Sequence, residues 1–312
     1  MIDFIGDIHG HREELEILLR KLGYEKMHGV YRHPESSAVF LGDYIDRGPD
    51  ARGVVNIVRK MVESGTAKAI LGNHEFNALC FWTKNSAGDF LREHSINKIL
   101  IHTKTMESYR YAQKEFSEVL DWFLTLPLFL ETPQFRAQHA CFDLENIQIL
   151  RRENLETLKS RENLCRIFEK ENSAIRRAVD DTVKGPEVKL QDGAFYHDSE
   201  DVLRTLARIK WWIDPKNKTL RDLAFQPGVK IPPQPLSSEI QKRNFYSEKE
   251  RPDFFGHYWL EGEPQLFREN ICCLDYSVAS FKGNGLLTAY RFSGEEKLSP
   301  QNFVWTPEIK SN

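Results

Sequence analysis

The 312-residue sequence lacks the GxxxxGK[ST] loop of nucleotide-triphosphate enzymes, the GxGxxG dinucleotide fingerprint, and any spacing that reads as a nucleophilic triad. P-loop, Rossmann and covalent-nucleophile chemistry are therefore set aside. Its five cysteines, Cys80, Cys141, Cys165, Cys272 and Cys273, form no CxxC pair and are odd in number. That fits a reducing compartment better than a disulfide framework, and the adjacent Cys272-Cys273 read as inert core thiols. No apolar run approaches the length of a membrane span, and there is no internal repeat or low-complexity tract. Charge of one sign is lacking too: the net charge is −3, so a broad nucleic-acid surface is not indicated, although a local basic patch is compatible. The chain opens Met1-Ile2-Asp3-Phe4-Ile5-Gly6-Asp7, which reads as a strand and not as a signal peptide. A soluble cytoplasmic protein is the expectation, built as a single domain over 1–312 with a sizeable insertion.

What the sequence does contain is a repeated device: an apolar strand that ends in a glycine turn loaded with polar groups. Residues 2–6 lead into Asp7-Ile8-His9-Gly10, 38–42 into Asp43-Tyr44-Ile45-Asp46-Arg47-Gly48-Pro49, and 67–71 into Gly72-Asn73-His74-Glu75. Helical spacing follows the first two, over 11–22 (Leu15, Leu18, Leu19, Leu22, then Gly23) and over 51–63. Successive strand–turn–helix units predict a layered α/β core with its site at the strands' C-terminal ends. Residues 84–125 read as largely helical. Strands follow at 126–130 and at 135–141, the latter running into His139. Residues 145–182 are charge-rich with Leu and Ile at helical spacing, and 145–200 is expected to be a helical cap inserted in the domain; a solvated arm used for dimerisation is the alternative. Residues 183–235 read as loop, proline-rich near Pro227, Pro232, Pro233 and Pro235. Strands return at 252–257, 270–278 and 285–292 as a second sheet.

Asp43 and Asp46 are too close to sit unpaired, so a metal, Arg47, or both should share their space. Asp7, His9, Asp43, Asn73, His139 and His257 offer oxygen and imidazole donors suited to Mn, Fe or Zn, and Asp43 is the natural bridge of a two-ion site. Each turn alone has a bland reading: an Asp-x-His turn is usually a capped loop, and Asp46-Arg47 a surface pair of little weight. Together they resist explanation by packing, because carboxylates and imidazoles at buried strand ends are costly unless coordinated. His94, His102 and His197 have no partners at ligand spacing and read as surface or loop residues. Lys184-Gly185-Pro186 reads as a plain turn, and Trp211-Trp212 as a pair packed under a sheet or part of a site segment.

Gly6-Asp7-Ile8-His9-Gly10, Gly42-Asp43-Tyr44-Ile45-Asp46-Arg47-Gly48 and Gly72-Asn73-His74-Glu75 resemble, in order and spacing, the three signature blocks of the calcineurin-like metallophosphoesterases in their phosphoprotein-phosphatase branch. Gln138-His139-Ala140, Phe255-Gly256-His257-Tyr258-Trp259 and Leu274-Asp275-Tyr276-Ser277 resemble its later blocks more loosely. The resemblance covers residues 1–82, 126–143 and 252–292. It implies a four-layer β-sandwich flanked by helices, with a helical insertion. It implies two divalent ions, Mn first and Fe, Zn or Ni as alternatives: Asp7, His9 and Asp43 on one, and Asp43, Asn73, His139 and His257 on the other. His74 would be the general acid, oriented by Asp46, and Arg47 the phosphate-binding guanidinium, with Asn73 beside the substrate. Water activated on the ions would attack directly, with no phosphoenzyme. A second phosphate-binding cation is expected between His139 and His257, with Arg208, Lys210 and Arg221 as candidates.

The resemblance is closer to bacterial members similar to diadenosine tetraphosphatases, because Leu71, Cys141, Tyr276 and Ser277 depart from the protein-phosphatase pattern. Trp211-Trp212-Ile213-Asp214-Pro215 points weakly the other way. The expected substrate is a small nucleotidic polyphosphate or a phosphomonoester, with a serine/threonine phosphoprotein as the alternative; nucleic-acid end-processing is disfavoured. From another class stands an inert binding module on the same fold, disfavoured because every ligand position holds a competent residue.

Overall fold

A computed structural model of the protein describes residues 1–190, 194–197, 203–225, 234–280 and 283–307. Strands Ile2–Ile5, Ser37–Phe40 and Ala67–Ala69 run parallel, with Ile5 opposite Phe40 and Phe40 opposite Ala69. Leu286–Phe292 pairs antiparallel with the first of them and carries Asp275–Tyr276 and Phe303–Trp305 as further partners. A second sheet sets Ile271–Cys273, Asp253–Phe255 and Arg136–Gln138 parallel, with Phe129–Glu131 antiparallel at its end.

The two sheets pack face to face. Phe4, Val39, Leu41 and Ile70 of the first meet Ala137, Phe254 and Cys272 of the second in one cluster, and the Phe4 and Phe254 rings stack with centroids 3.8 Å apart. Strand side chains alternate, so Ile5, Phe40, Phe255 and Cys273 point outward and join the helices in another cluster. Both faces of each sheet are thus covered, which is why these strands read as unbroken apolar runs. Helix Arg12–Lys21 turns Leu15, Leu18 and Leu19 inward and ends before Gly23, which has φ +90°. Helix Ala51–Glu63 starts at Asp50, whose side chain accepts from Gly53 N at 2.7 Å. Among the described residues, no helix is long and apolar enough to cross a membrane.

Three segments differ from their sequence reading or refine it. Residues 84–125 are not one helical stretch: helix Asn73–Trp82 stops at an extended Thr83, Asn85 Oδ1 captures the N–H groups of Ala87 and Asp89, and Gly88 takes φ +89°. Helices Ile96–Ser108 and Gln113–Phe123 follow. The segment after 145, expected to be helical, is so, and of the two readings given for it the solvated arm does not hold. It forms helices Leu144–Arg152, Arg161–Ile167 and Ser173–Lys184, and Leu150, Leu155, Leu158, Leu164, Ile167 and Val179 are buried in the main core. Residues 183–235 are not mere loop. Glu187–Lys189 pairs with Leu206–Arg208 and Tyr196–His197 with Leu203–Arg204, and a small core gathers Leu190, Ala207, Ile209, Leu220 and Leu223. Strands this short show no period in the sequence. Pro227, Pro232 and Pro233 lie outside the described residues. Two further pieces went unread: the hairpin Glu25–Met27/Val30–Arg32, turning at His28-Gly29, and the strand Phe303–Trp305.

Candidate active site

Parallel strands of both sheets end at one edge of the sandwich, and five turns leave there. Asp7 and His9 follow the first strand, Asp43 to Arg47 the second, Asn73 and His74 open a helix after the third, and His139 and His257 come from the second sheet. The turns fit together only without side chains at key points. A Cβ on Gly42 would lie 2.6 Å from Gly72 Cα, and one on Gly256 1.9 Å from Asp7 Oδ1. His9, Asp43, Asp46, Arg47 and His257 have φ of +44°, +53°, +69°, +61° and +68°. Non-glycine residues reach this region at a cost, and they cluster at functional sites where the surroundings hold them.

Asp43 is the centre. Its Oδ1 accepts from His74 N at 2.9 Å, and its Oδ2 lies 3.4 Å from His139 Nε2, 3.6 Å from His9 Nε2 and 3.9 Å from His74 Nε2. His139 Nδ1 donates to Leu41 O at 2.7 Å and His9 Nδ1 to Ile45 O at 3.0 Å. A carbonyl oxygen only accepts, so in each neutral ring the lone pair sits on Nε2 and points at a carboxylate oxygen. Acceptors facing one another need a cation between them. Burial opposes charge on His139, yet Asp43 and Asp7 outweigh it and hold its pKa up to about 10. Burial, together with His74, instead drives His9 well below its usual value. No proton fills that side, and a divalent ion fits it. The hydrogen-bonded carbonyls orient the rings as outer-shell partners orient metal-binding histidines.

Asn73 Oδ1 lies 2.9 Å from His139 Nε2 and 2.7 Å from His257 Nδ1. Ligand atoms of His9, Asp43 and His74 fall within 4.8 Å of one another, as do those of Asp43, His139 and His257, giving two candidate metal clusters among the described residues that share Asp43. Asp7 belongs to neither; it accepts from His257 N at 3.1 Å through Oδ2 and so ties the two sheets at the site. Burial and Asp275 push its carboxyl well up.

His74 differs from His9 in what holds its Nδ1: the Asp46 carboxylate, at 2.6 Å, in place of a neutral carbonyl. Burial opposes charge on His74, but Asp43 and Asp46 raise its pKa above the ordinary value. Burial would likewise raise Asp46, yet hydrogen bonds from His102 and His74 hold it far below the carboxylate range. An imidazole held by a carboxylate in this way suits a general acid. The guanidinium of Arg47 stacks on Trp259 at 4.4 Å, and Trp259 N donates to the buried Asp275. Of the three further cations, Arg208 reaches the site, donating to His257 O at 3.0 Å. Lys210 faces Asp222, and Arg221 lies exposed on the short helix Leu220–Leu223.

The sequence reading missed three residues. His102 is no surface residue: it is buried and its Nδ1 meets Asp46 Oδ1 at 2.8 Å, where Thr105 Oγ1 also donates, at 2.6 Å. Glu75, seen but given no role, accepts from the N–H groups of Gly72, Asp43, Tyr44 and Ile45 and so fixes the turn carrying Asp43. The i, i+3 spacing of His102 and Thr105 in a helical stretch was the available signal, since such residues share a face. Trp211-Trp212 prove to be packing: Trp211 Nε1 donates to Ala140 O, and Trp212 stacks on Phe267. Lys184 closes a helix at Gly185 and pairs with Asp180, His94 stacks between Phe81 and Phe90, and all five cysteines are free.

The profile of the family described as calcineurin-like phosphoesterase matches residues 1–189. Over 74 residues the chain is 50% identical to a bis(5'-nucleosyl)-tetraphosphatase (asymmetrical), PrpE, of Oceanobacillus iheyensis, a match covering 23% of this chain and 30% of that protein. Its counterpart from Halalkalibacterium halodurans is 47% identical over 73 residues, with the same coverage. The chain thus spans under a third of the length of these relatives. A solved cold-active protein-tyrosine phosphatase from a psychrophilic Shewanella species superposes with a TM-score of 0.52 at 15% identity, covering 93% of this chain and 75% of that one, a likeness of fold alone.

Proposed function

The chain belongs to the calcineurin-like phosphoesterase family, and on that premise we propose that it hydrolyses phosphate esters or anhydrides with two divalent ions, Mn first among them, and takes a small nucleotidic polyphosphate as substrate. The observation that carries the reading is Asp43 Oδ2, on which the Nε2 atoms of His9 and His139 converge from two sheets at 3.6 and 3.4 Å. Asp7, His9 and Asp43 would hold one ion, and Asp43, Asn73, His139 and His257 the other. Bound there, the ions would supply Lewis acidity toward phosphate and an activated water. The rest falls to the chain's own groups. His74, anchored by Nδ1 to Asp46, would offer an Nε2 proton to the leaving oxygen. Arg47, stacked on Trp259, would meet phosphate oxygens with its guanidinium, and Arg208 adds a second guanidinium beside His257.

The nucleotidic substrate follows the likeness to bis(5'-nucleosyl)-tetraphosphatases and the residues at 71, 141, 276 and 277; a phosphoprotein is the competing substrate. The test is two-part. Metal-stripped protein should lose activity on p-nitrophenyl phosphate and regain it with Mn, and full activity in chelator would remove the metal claim. The loaded protein should then prefer dinucleoside polyphosphates over phosphopeptides and 3'-phosphorylated oligonucleotides; a preference for phosphopeptides would reverse the substrate assignment.

A further inference from the structure

Helix Ile96–Ser108 is turned inside out. His102 and Thr105 are its buried positions, while Ile96, Leu100 and Ile101 are 76%, 64% and 46% exposed. Hydrophobic burial alone would choose the opposite face. Polar contacts with Asp46 hold the helix as it is. Trp82 Nε1 donates to His102 Nε2 at 3.1 Å. An indole N–H only donates, so His102 Nε2 is an acceptor and the ring's proton sits on Nδ1, from which it is given to Asp46 Oδ1. Thr105 Oγ1 accepts from Asp46 N at 2.9 Å and donates to the same Oδ1. With Oδ1 doubly engaged, Oδ2 remains for His74 Nδ1.

We propose that Trp82, His102 and Thr105 are positioning residues for the His74 acid: they lock the Asp46 carboxylate so that Oδ2 alone meets His74, and thereby set the direction of the His74 ring. The proposal rests on the reading of His74 as the proton donor. The chain of bonds is a clamp and not a proton wire, because the indole N–H at its end has no lone pair to receive a proton. Loss of His102 removes one of the two donors on Asp46 Oδ1. The carboxylate can then rotate, and His74 loses its aim while the metal ligands stay in place.

The test separates aim from architecture by leaving group. Phenyl phosphate departs as a basic oxygen that needs a proton, and 2,4-dinitrophenyl phosphate does not. His102→Leu should lose roughly 10- to 100-fold in kcat on phenyl phosphate, with KM and metal content unchanged, and no more than about threefold on the dinitrophenyl ester. His102→Asn, which can place an amide N–H where Nδ1–H stood, should recover most of the loss. Trp82→Phe should shift the same ratio in the same direction, less strongly. Thr105→Val provides the same readout if His102→Leu fails to fold. Equal losses on both esters, depleted metal, or an Asn variant no better than Leu would overturn the proposal. A wild-type protein without metal-dependent activity on either ester would instead bring down the underlying reading of the site.

Discussion

The two ends of the second sheet bury polar groups on the same strands and treat them in opposite ways. At the start, Arg136 sits between Glu131 at 2.8 Å and Glu250 at 2.7 Å and lies over the rings of Phe142 and Tyr246, while Asp253 receives the Gln138 amide at 2.8 Å. Cation there meets anion. At the other end, a few residues along, His139 reaches Asp43 Oδ2, on which the unprotonated Nε2 of His9 also converges at 3.6 Å, so acceptor meets acceptor. Burying a charge is tolerable when a partner is supplied. The first end supplies its own partner; the second is built so that the partner must be bound. The contrast separates structure from site more sharply than residue type does, since both ends are rich in ionisable groups.

The largest effect should come from removing the shared oxygen. Asp43→Asn should lower metal-dependent turnover on the order of 1,000-fold and lower metal content. Normal metal content by elemental analysis would erase the distinction between the two ends. Next, His74→Asn should cost roughly 100- to 1,000-fold in turnover with metal retained. His139→Asn should deplete metal; if both variants deplete it alike, the division between acid and ligand falls.

This contrast was only half legible in the sequence. The five turns could be read because each places its ligand directly after an apolar strand, so local order encodes the site. His102 was not: its spacing from Thr105 names no partner, Asp46 is 56 residues away, and the helix that brings them together exposes its isoleucines. Apolar periodicity there points to the wrong face. The left-handed backbone at Asp43 and His257 was also hidden, because neither type is the glycine that announces such a turn. The two sheets followed from unbroken apolar runs, whereas the paired strands of 183–235 are two or three residues long and leave no pattern.

The self-sufficient end yields smaller effects, on stability and not on chemistry. Arg136→Met removes one cation from Glu131 but leaves Arg151 on it at 2.7 Å, and should cost about 2 kcal/mol in urea unfolding, below the range for a buried pair left without any partner. Its metal content should stay normal, and a loss of metal would mean that the two ends are coupled.

The narrowest effect concerns Asp253, and it shows only as a pH dependence. Burial pushes its carboxyl up to about 8, against the opposing Gln138 hydrogen bond. Unfolded, the same group loses its proton near pH 4. Between about pH 4 and pH 8 the folded chain therefore holds a proton that the unfolded chain does not. Its contribution to stability is full below about pH 4 and is lost steadily as the pH rises to about 8. Asp253→Asn puts a neutral amide of the same shape in place of the protonated acid. The melting temperature of the metal-free variant should therefore fall less than that of the wild type between about pH 5 and pH 8, by about 5 °C. Parallel curves would mean that Asp253 is ionised in the fold and that Arg136 neutralises it. The start of the sheet would then be a fully charged network, not an ion pair beside a neutral acid.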